Sequence, residues 1–177
     1  METRGDRHGK LMAQFDPDKT IGMIVDEWGC WFTVEPGTNP GFLYQQNTVR
    51  DALVAGITLN IFNKHCDRVK MANLAQMVNV LQSVILTEGP KMIKTPTYHV
   101  FHMYRHHQGA PLLNSTLTGV GETGIGEWKV PEVTESVSED AEHIITVTLN
   151  NLSADEEKEI EIVIAGDEHI YSVKEAK

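Results

Sequence analysis

A chain of 177 residues with 41% apolar content can bury one or two cores and is too apolar to be disordered throughout. No apolar run approaches the roughly 20 residues that cross a bilayer, and Cys30 and Cys66 give neither a disulfide framework nor a metal-binding spacing. The formal charge of −10 is uneven: residues 1–109 hold eleven Lys/Arg against ten Asp/Glu, and residues 110–177 hold four against fifteen, so two modules are expected and a nucleic-acid partner is not.

Leu11, Met12 and Phe15 recur at helical spacing and read as the end of a helix, stopped by Asp16-Pro17-Asp18. Thr20–Val25 is a short apolar strand of the kind covered on both faces in parallel sheets. It stops at two adjacent carboxylates, Asp26 and Glu27, followed by Trp28 and Gly29. Catalytic groups of parallel barrels sit at such strand ends. A strand-end Glu beside Trp suggests carboxylate chemistry on a substrate that stacks on aromatics, such as a sugar. A solvated strand end explains these residues equally well.

Cys30 to Gly41 carries Trp31, Phe32 and two Pro-Gly turn signals and reads as a loop. From Phe42 to about Asn63, Leu43, Val49, Leu53, Ile57 and Ile61 trace a long amphipathic helix. Arg68–Leu74 reads as a second strand, which completes a strand–helix–strand crossover. Leu74, Val78, Leu81 and Ile85 also fit a helix. Thr87–Pro90 is a turn, and Pro96–Gln108 is a helix with Val100, Met103 and Tyr104 inward. Helix, strand, helix, strand, helix is the grammar of an α/β barrel. Two strands cannot close a barrel of eight.

After Ala110 the grammar changes. Leu112–Leu117, Trp128–Val133, Ile144–Leu149 and Ile160–Ile164 are short, β-branched runs between polar turns. Ile145, Val147 and Leu149 alternate with Thr146 and Thr148, which predicts antiparallel strands with one wet face and a β-sandwich.

Four other patterns have plain structural readings. His99, His102 and His106 share a helical face but lack a carboxylate or Cys among them, and read as a solvated face rather than a metal site. Gly119-Val-Gly-Glu-Thr-Gly124 matches a dinucleotide pattern but is followed by Ile-Gly-Glu-Trp-Lys-Val-Pro, not a helix, and reads as a flexible turn. His65, Cys66 and Asp67 precede a strand and read as structural. The sequons at Asn114 and Asn151 read as incidental, because the polar N-terminal residues do not form a signal peptide.

The run from Ile21 to Gln108 resembles the α-L-arabinofuranosidases of glycoside hydrolase family 51. The blocks that carry the likeness are Val-Asp-Glu-Trp-Gly (25–29), Glu-Pro-Gly-Thr-Asn-Pro-Gly-Phe-Leu-Tyr-Gln-Gln-Asn-Thr (35–48) and Arg-Asp-Ala-Leu-Val-Ala-Gly (50–56). His-Cys-Asp-Arg-Val-Lys-Met-Ala (65–72), Leu-Ala-Gln-Met-Val-Asn-Val (74–80) and Thr-Pro-Thr-Tyr-His-Val-Phe (95–101) follow in order. The acidic tail resembles that family's C-terminal β-sandwich more loosely.

The resemblance implies a fold of α/β plus β: 1–109 as the C-terminal fragment of a (β/α)8 TIM barrel, about strands seven and eight, and 110–177 as a partial antiparallel β-sandwich. It implies retaining hydrolysis of terminal α-L-arabinofuranosyl residues in arabinan- or arabinoxylan-type chains. Glu27 matches the nucleophile, Gln76 a glutamine that binds the arabinose ring, and Trp31 an aromatic bordering the aglycone side. No cofactor and no metal is expected, and the partners are an arabinose-containing oligo- or polysaccharide and, for the full-length family, further copies of itself. No nucleic acid or membrane partner is expected, and the expected compartment is the cytoplasm.

A retaining mechanism needs one ionised and one protonated carboxyl group roughly 5 Å apart. The family's acid/base lies in a Gly-Asn-Glu motif, and no Asn-Glu dipeptide occurs in this chain. The isolated chain is therefore expected to be inactive. Two alternatives remain: a non-catalytic carbohydrate-binding or assembly module, and a related glycosidase acting on xylosides or glucans.

Overall fold

The computed structural model describes residues 2–166 and 171–177. Its central unit is a parallel pair of strands, β1 (Met23–Trp28) and β2 (Val69–Leu74), joined by the helix α2 (Val49–Lys64). Parallel neighbours need such a crossover. The helix begins at Thr48, whose backbone N–H donates to the Asp51 carboxylate at 2.7 Å. Asp51 is fully buried in the first turn, where a negative charge complements the helix dipole. A second helix, α3 (Pro96–Tyr104), has Pro96 at its first position and Thr95 as cap. It continues as a single 3-10 turn, Arg105–His107.

One face of the β1–β2 pair is covered. Trp28, Ala55, Phe62, Val100 and Tyr104 form the buried cluster, with Val25, Leu74 and Phe101 packed against it. Trp28 meets Phe62 edge-on at 5.5 Å and stacks on Phe101 at 6.1 Å. The other face is open: Ile24 is 59% and Met71 52% exposed. The expected cover on both faces is thus corrected to cover on one, because the helices pack on a single side of a two-stranded sheet.

Before β1, α1 (Glu2–Ala13) ends ahead of the Asp16 turn as expected, but Leu11 within it and Phe15 just after it are exposed. Asp16 does more than stop the helix. Its buried carboxylate accepts from the backbone N–H groups of Ile21 (2.9 Å) and Thr20 (3.0 Å), and it pairs with buried Arg68 at the entrance to β2. These donors, the Ile21 N–H first, hold its pKa well below the usual carboxylate range.

Several boundaries differ from the sequence reading. The helix read from Phe42 starts at Val49; a 3-10 turn, Pro40–Phe42, precedes it, and Leu43 takes a left-handed conformation that breaks the run. Residues 85–94 form a hairpin, β3 (Ile85–Glu88) with β4 (Lys91–Lys94), around the expected turn. Met103 is 37% exposed rather than inward, since only the Val100 and Tyr104 side of α3 meets α2.

The acidic part holds two antiparallel hairpins, β5 (Glu122–Ile125) with β6 (Trp128–Pro131), and β7 (Val133–Glu139) with β8 (Ile145–Asn151). The expected strands at Leu112–Leu117 and Ile160–Ile164 do not form; Leu112 makes one bridge to Ser138, and 160–164 is irregular. The first segment meets the β7 backbone only at its start, where Leu113 N–H donates to Val137 C=O at 2.9 Å, and 160–164 pairs with no strand among the described residues. Residues 167–170 of the expected sandwich region lie outside the described residues.

The wet-face reading of β8 is also reversed. Thr134, Ser136, Ser138, Thr148 and Asn150 share one face of the β7–β8 pair, and that polar face is turned to the helices. Asn60 and Asn63 of α2 donate to the hydroxyls of Thr134 (3.0 Å) and Ser136 (2.9 Å). Asn150 donates to the Tyr104 hydroxyl at 2.8 Å. On the other face Leu149 is exposed and Val147 half-buried. Alternation fixes which residues share a face, not which face is covered.

Candidate functional site

Glu27 and Gln76 lie at the same end of the parallel pair. Both strands run the same way, with Trp28 beside Leu74, so Glu27 stands in the last turn of pleat of β1 and Gln76 two residues beyond β2. The strand extends through the acids rather than stopping before them, with an irregularity in register between Val25 and Trp28. That irregularity lets Val25 and Trp28 both face the helices, whereas strict alternation would part them. Glu27 and Gln76 are both exposed, and neither side chain has a hydrogen-bond partner among the described residues.

The two strand ends are tied by backbone. Ala75 N–H donates to Trp28 C=O at 2.8 Å. Gly29 follows at φ 148°, and a Cβ there would stand 3.2 Å from Ala75 C=O. A side chain at 29 would wedge the ends apart, so glycine is required by both conformation and approach. The Ala75–Gln76 peptide is cis. Beyond it, Gln76 C=O accepts from Val84 N–H at 3.2 Å, closing the turn that carries Gln76.

Trp31 lies on the irregular segment after β1 and is 58% exposed. Phe32 beside it lies under the Arg50 guanidinium, 3.6 Å from the ring centroid. Trp28, by contrast, is a core residue, and its indole N–H is buried without a partner among the described residues. Asp26 is exposed, and only its backbone C=O is engaged, by Asn73 at 3.2 Å.

Two residues that the sequence did not single out hold this segment. Gln82 accepts from Cys30 N–H at 2.9 Å and donates to Asp51 C=O at 2.7 Å. Gln45 accepts from Phe32 N–H at 3.0 Å and donates to Cys30 C=O at 3.2 Å. No composition or spacing rule marks a loop glutamine as buried, so neither was legible beforehand. The Cys30 thiol is pushed up to about 11 by burial, and then by Asp51, which makes it a poor nucleophile.

The remaining candidates stay apart from these strand ends. His99, His102 and His106 are exposed on α3 and the turn after it. Cys66 is exposed, and Asp67 pairs with Lys19, at the opposite end of β2. A shallow apolar groove of about 470 Å³ runs between β2 and α3, lined by Leu74, Met77 and Phe101 among others, and excludes Glu27, Gln76 and Trp31. Among the described residues no three His, Cys, Asp or Glu are grouped to hold a metal ion.

An exposed carboxylate, a carboxamide and an indole at one end of a parallel pair can bind and attack a polyol with an apolar face. A model of the α-L-arabinofuranosidase C-terminal domain matches residues 26–176. An "Intracellular exo-alpha-L-arabinofuranosidase" of Bacteroides ovatus is 48% identical over 156 residues, 88% of this chain and 30% of that protein. An "Intracellular exo-alpha-(1->5)-L-arabinofuranosidase 1" of Bacillus subtilis is 34% identical over 104 residues, 54% of this chain and 20% of that protein. The crystal structure of the GH51 arabinofuranosidase from Xanthomonas axonopodis pv. citri matches with a TM-score of 0.83 at 47% identity, covering 87% of this chain and 31% of that one. That of an α-L-arabinofuranosidase from Thermotoga maritima in complex with arabinose matches at 0.61 and 25% identity, covering 80% of this chain and 31% of that one. The chain spans less than a third of the length of these relatives. The family match over 26–176 and the likeness to the Bacteroides and Xanthomonas enzymes agree: the chain belongs to the α-L-arabinofuranosidase C-terminal domain family, the C-terminal part of glycoside hydrolase family 51 enzymes.

Proposed function

We propose that this chain forms the nucleophile-bearing part of a retaining exo-α-L-arabinofuranosidase. In this reading residues 1–109 supply the last two strands of a (β/α)8 barrel, and residues 110–177 belong to a β-sandwich. The observation that carries it is the placement of Glu27 and Gln76 at the C-terminal ends of neighbouring parallel strands, where barrel enzymes keep their chemistry.

Glu27 attacks the anomeric carbon and forms a glycosyl ester as the glycosidic C–O bond breaks. A protonated carboxyl from outside these residues gives its proton to the leaving oxygen. Water, deprotonated by the same group, then hydrolyses the ester and frees Glu27. Gln76 donates and accepts within one fork, which suits vicinal ring hydroxyls. Trp31 offers an apolar plane to the aglycone side. The substrates are arabinose-containing oligo- or polysaccharides, the working form is a homo-oligomer, and the compartment is the cytoplasm, as the names of the intracellular relatives suggest.

Release of nitrophenol from an aryl α-L-arabinofuranoside tests this. The chain alone is expected to be silent. Mixed with the part of the Bacteroides relative that precedes the matched region, it is expected to turn over, and Glu27→Gln is expected to abolish that turnover. Turnover that survives Glu27→Gln would sink the assignment.

A further inference from the structure

Gln45 and Gln82 are 1% and 0% exposed, although each comes from a segment without regular secondary structure. A buried carboxamide must find partners for both its N–H and its C=O. Gln45 finds both on the segment that follows Glu27, and Gln82 finds its donor there. The Cys30 C=O belongs to the peptide group before Trp31, and the Phe32 N–H to the peptide group after it. One Gln45 carboxamide holds both, at 3.2 and 3.0 Å. It pairs with the backbone around Trp31 as a neighbouring strand would, and so fixes the direction in which the indole leaves the chain.

Gln82 extends the same device. Its side chain accepts from Cys30 N–H, one peptide earlier, and donates to Asp51 C=O and to the Thr97 hydroxyl at 3.2 Å. Its own backbone N–H donates to Ala75 C=O at 3.2 Å, at the turn that presents Gln76. Loop, helix α2, helix α3 and the Gln76 turn are thereby joined through one side chain.

We propose that Gln45 and Gln82 are positioning residues that hold Trp31 at a set distance and direction from Gln76, so that the aglycone platform and the sugar ligand are preorganised together. This rests on the functional reading of Trp31 and Gln76 given above. Neither glutamine touches substrate; both act through the backbone. A platform fixed before binding spares the ligand the entropy of ordering it.

Incorporating 5-fluorotryptophan into the full chain gives three fluorine signals, and Trp31→Phe assigns one of them. Gln45→Met keeps length and volume but removes both hydrogen bonds. It is expected to shift and broaden the Trp31 signal, while the signals of core Trp28 and exposed Trp128 stay in place. Gln45→Glu keeps the acceptor and regains a donor only when protonated, so its Trp31 signal is expected to move back towards the parent position as the pH falls. An unmoved Trp31 signal in Gln45→Met overturns the proposal.

Should Gln45→Met fail to fold, amide hydrogen exchange on the unsubstituted chain decides. The Cys30 and Phe32 amides are expected to exchange about a hundred-fold more slowly than that of the exposed Thr33. Exchange of Phe32 as fast as Thr33 overturns the proposal. No sugar enters either measurement, so their failure leaves the nitrophenol test standing, and failure of that test leaves the Gln45 dependence standing.

Discussion

The same two helices support two sheets by opposite means. Towards β1–β2, α2 and α3 present Ala55, Phe62, Val100 and Phe101, and the contact is apolar packing around Trp28. Towards β7–β8, the helices and the turn after α3 present Asn60, Asn63, Tyr104 and His107, and the contact is a run of hydrogen bonds to hydroxyls and an amide. Apolar packing is graded: it weakens with each atom removed. A buried polar network is conditional: it specifies one register while every member is satisfied, and each loss leaves a second group stranded. The strand ends that carry Glu27 and Gln76 therefore rest on the forgiving side of the helices, and the acidic hairpin on the exacting one.

The largest effect is expected where the apolar side is broken outright. Trp28→Ala removes the ring that both Phe62 and Phe101 touch, and a buried Trp→Ala change costs about 3–5 kcal/mol. Urea unfolding should show it as a lower midpoint. A smaller loss than that from Tyr104→Phe, which deletes one oxygen, would invert the comparison. Tyr104→Phe is expected to cost about 1–3 kcal/mol, because the hydroxyl serves Asn60 (2.8 Å), Gly56 C=O (3.1 Å) and Asn150 (2.8 Å). On the apolar side, removal of one oxygen from an exposed edge would cost nothing comparable.

How much of this was legible follows the same division. The unbroken apolar run 21–25 and the periodic crossover helix declared themselves; the strand at 69–74 followed from the crossover they require, since periodicity there also fitted a helix, and Gln76 was marked only by the family resemblance. The polar contact did not. Thr146 and Thr148 read as a wet face because hydroxyls usually are, and Asn60 and Asn63 lie off the apolar positions that defined the helix. Each pattern is ambiguous alone; their meaning lies in the match between them, which no single segment carries. Ile160–Ile164 failed for the converse reason: its alternation is that of a strand, but a strand needs a neighbour. Gln45 and Gln82 were hidden because neither is apolar, and Gln45 fell within the helix read from Phe42, off its apolar stripe.

Gly56 sharpens the contrast further, since its effect should change sign with its neighbour. Glycine inside a helix costs about 0.5–1 kcal/mol relative to alanine, so Gly56→Ala ought to stabilise α2. But a Cβ at 56 would lie 2.0 Å from the Asn150 side-chain oxygen, and moving that side chain breaks its bonds to Tyr104 and Thr134. A net loss of about 1–2 kcal/mol is expected in the parent chain. In an Asn150→Ala background the same substitution is expected to stabilise by about 0.5–1 kcal/mol. A double-mutant cycle read by thermal melting checks it, and equal effects in both backgrounds would mean that the hairpin does not press on the helix there.

The smallest effect is a pH dependence confined to the polar side. His107 is buried between the hydroxyls of Ser138 (2.8 Å) and Thr148 (3.0 Å). Its pKa is lowered, first by desolvation and then by neighbouring His106. The unfolded chain takes up the proton near the ordinary histidine value of about 6.5, and the folded chain takes it up only at lower pH. Between those two points the unfolded state binds more protons, so stability rises with pH across the window. The contribution is complete above the ordinary value and is lost as pH falls below it towards the lowered one. His102 is shifted the same way, chiefly by Arg105, but it is exposed on α3 and is present in both proteins compared. The difference in melting temperature between the parent and His107→Gln, followed from about pH 8 to pH 5, should therefore shrink as the pH falls, because glutamine bonds both hydroxyls without titrating. A difference that stays constant would mean that the joint is indifferent to the charge at its centre, and that shape rather than hydrogen bonding holds the hairpin to the helices.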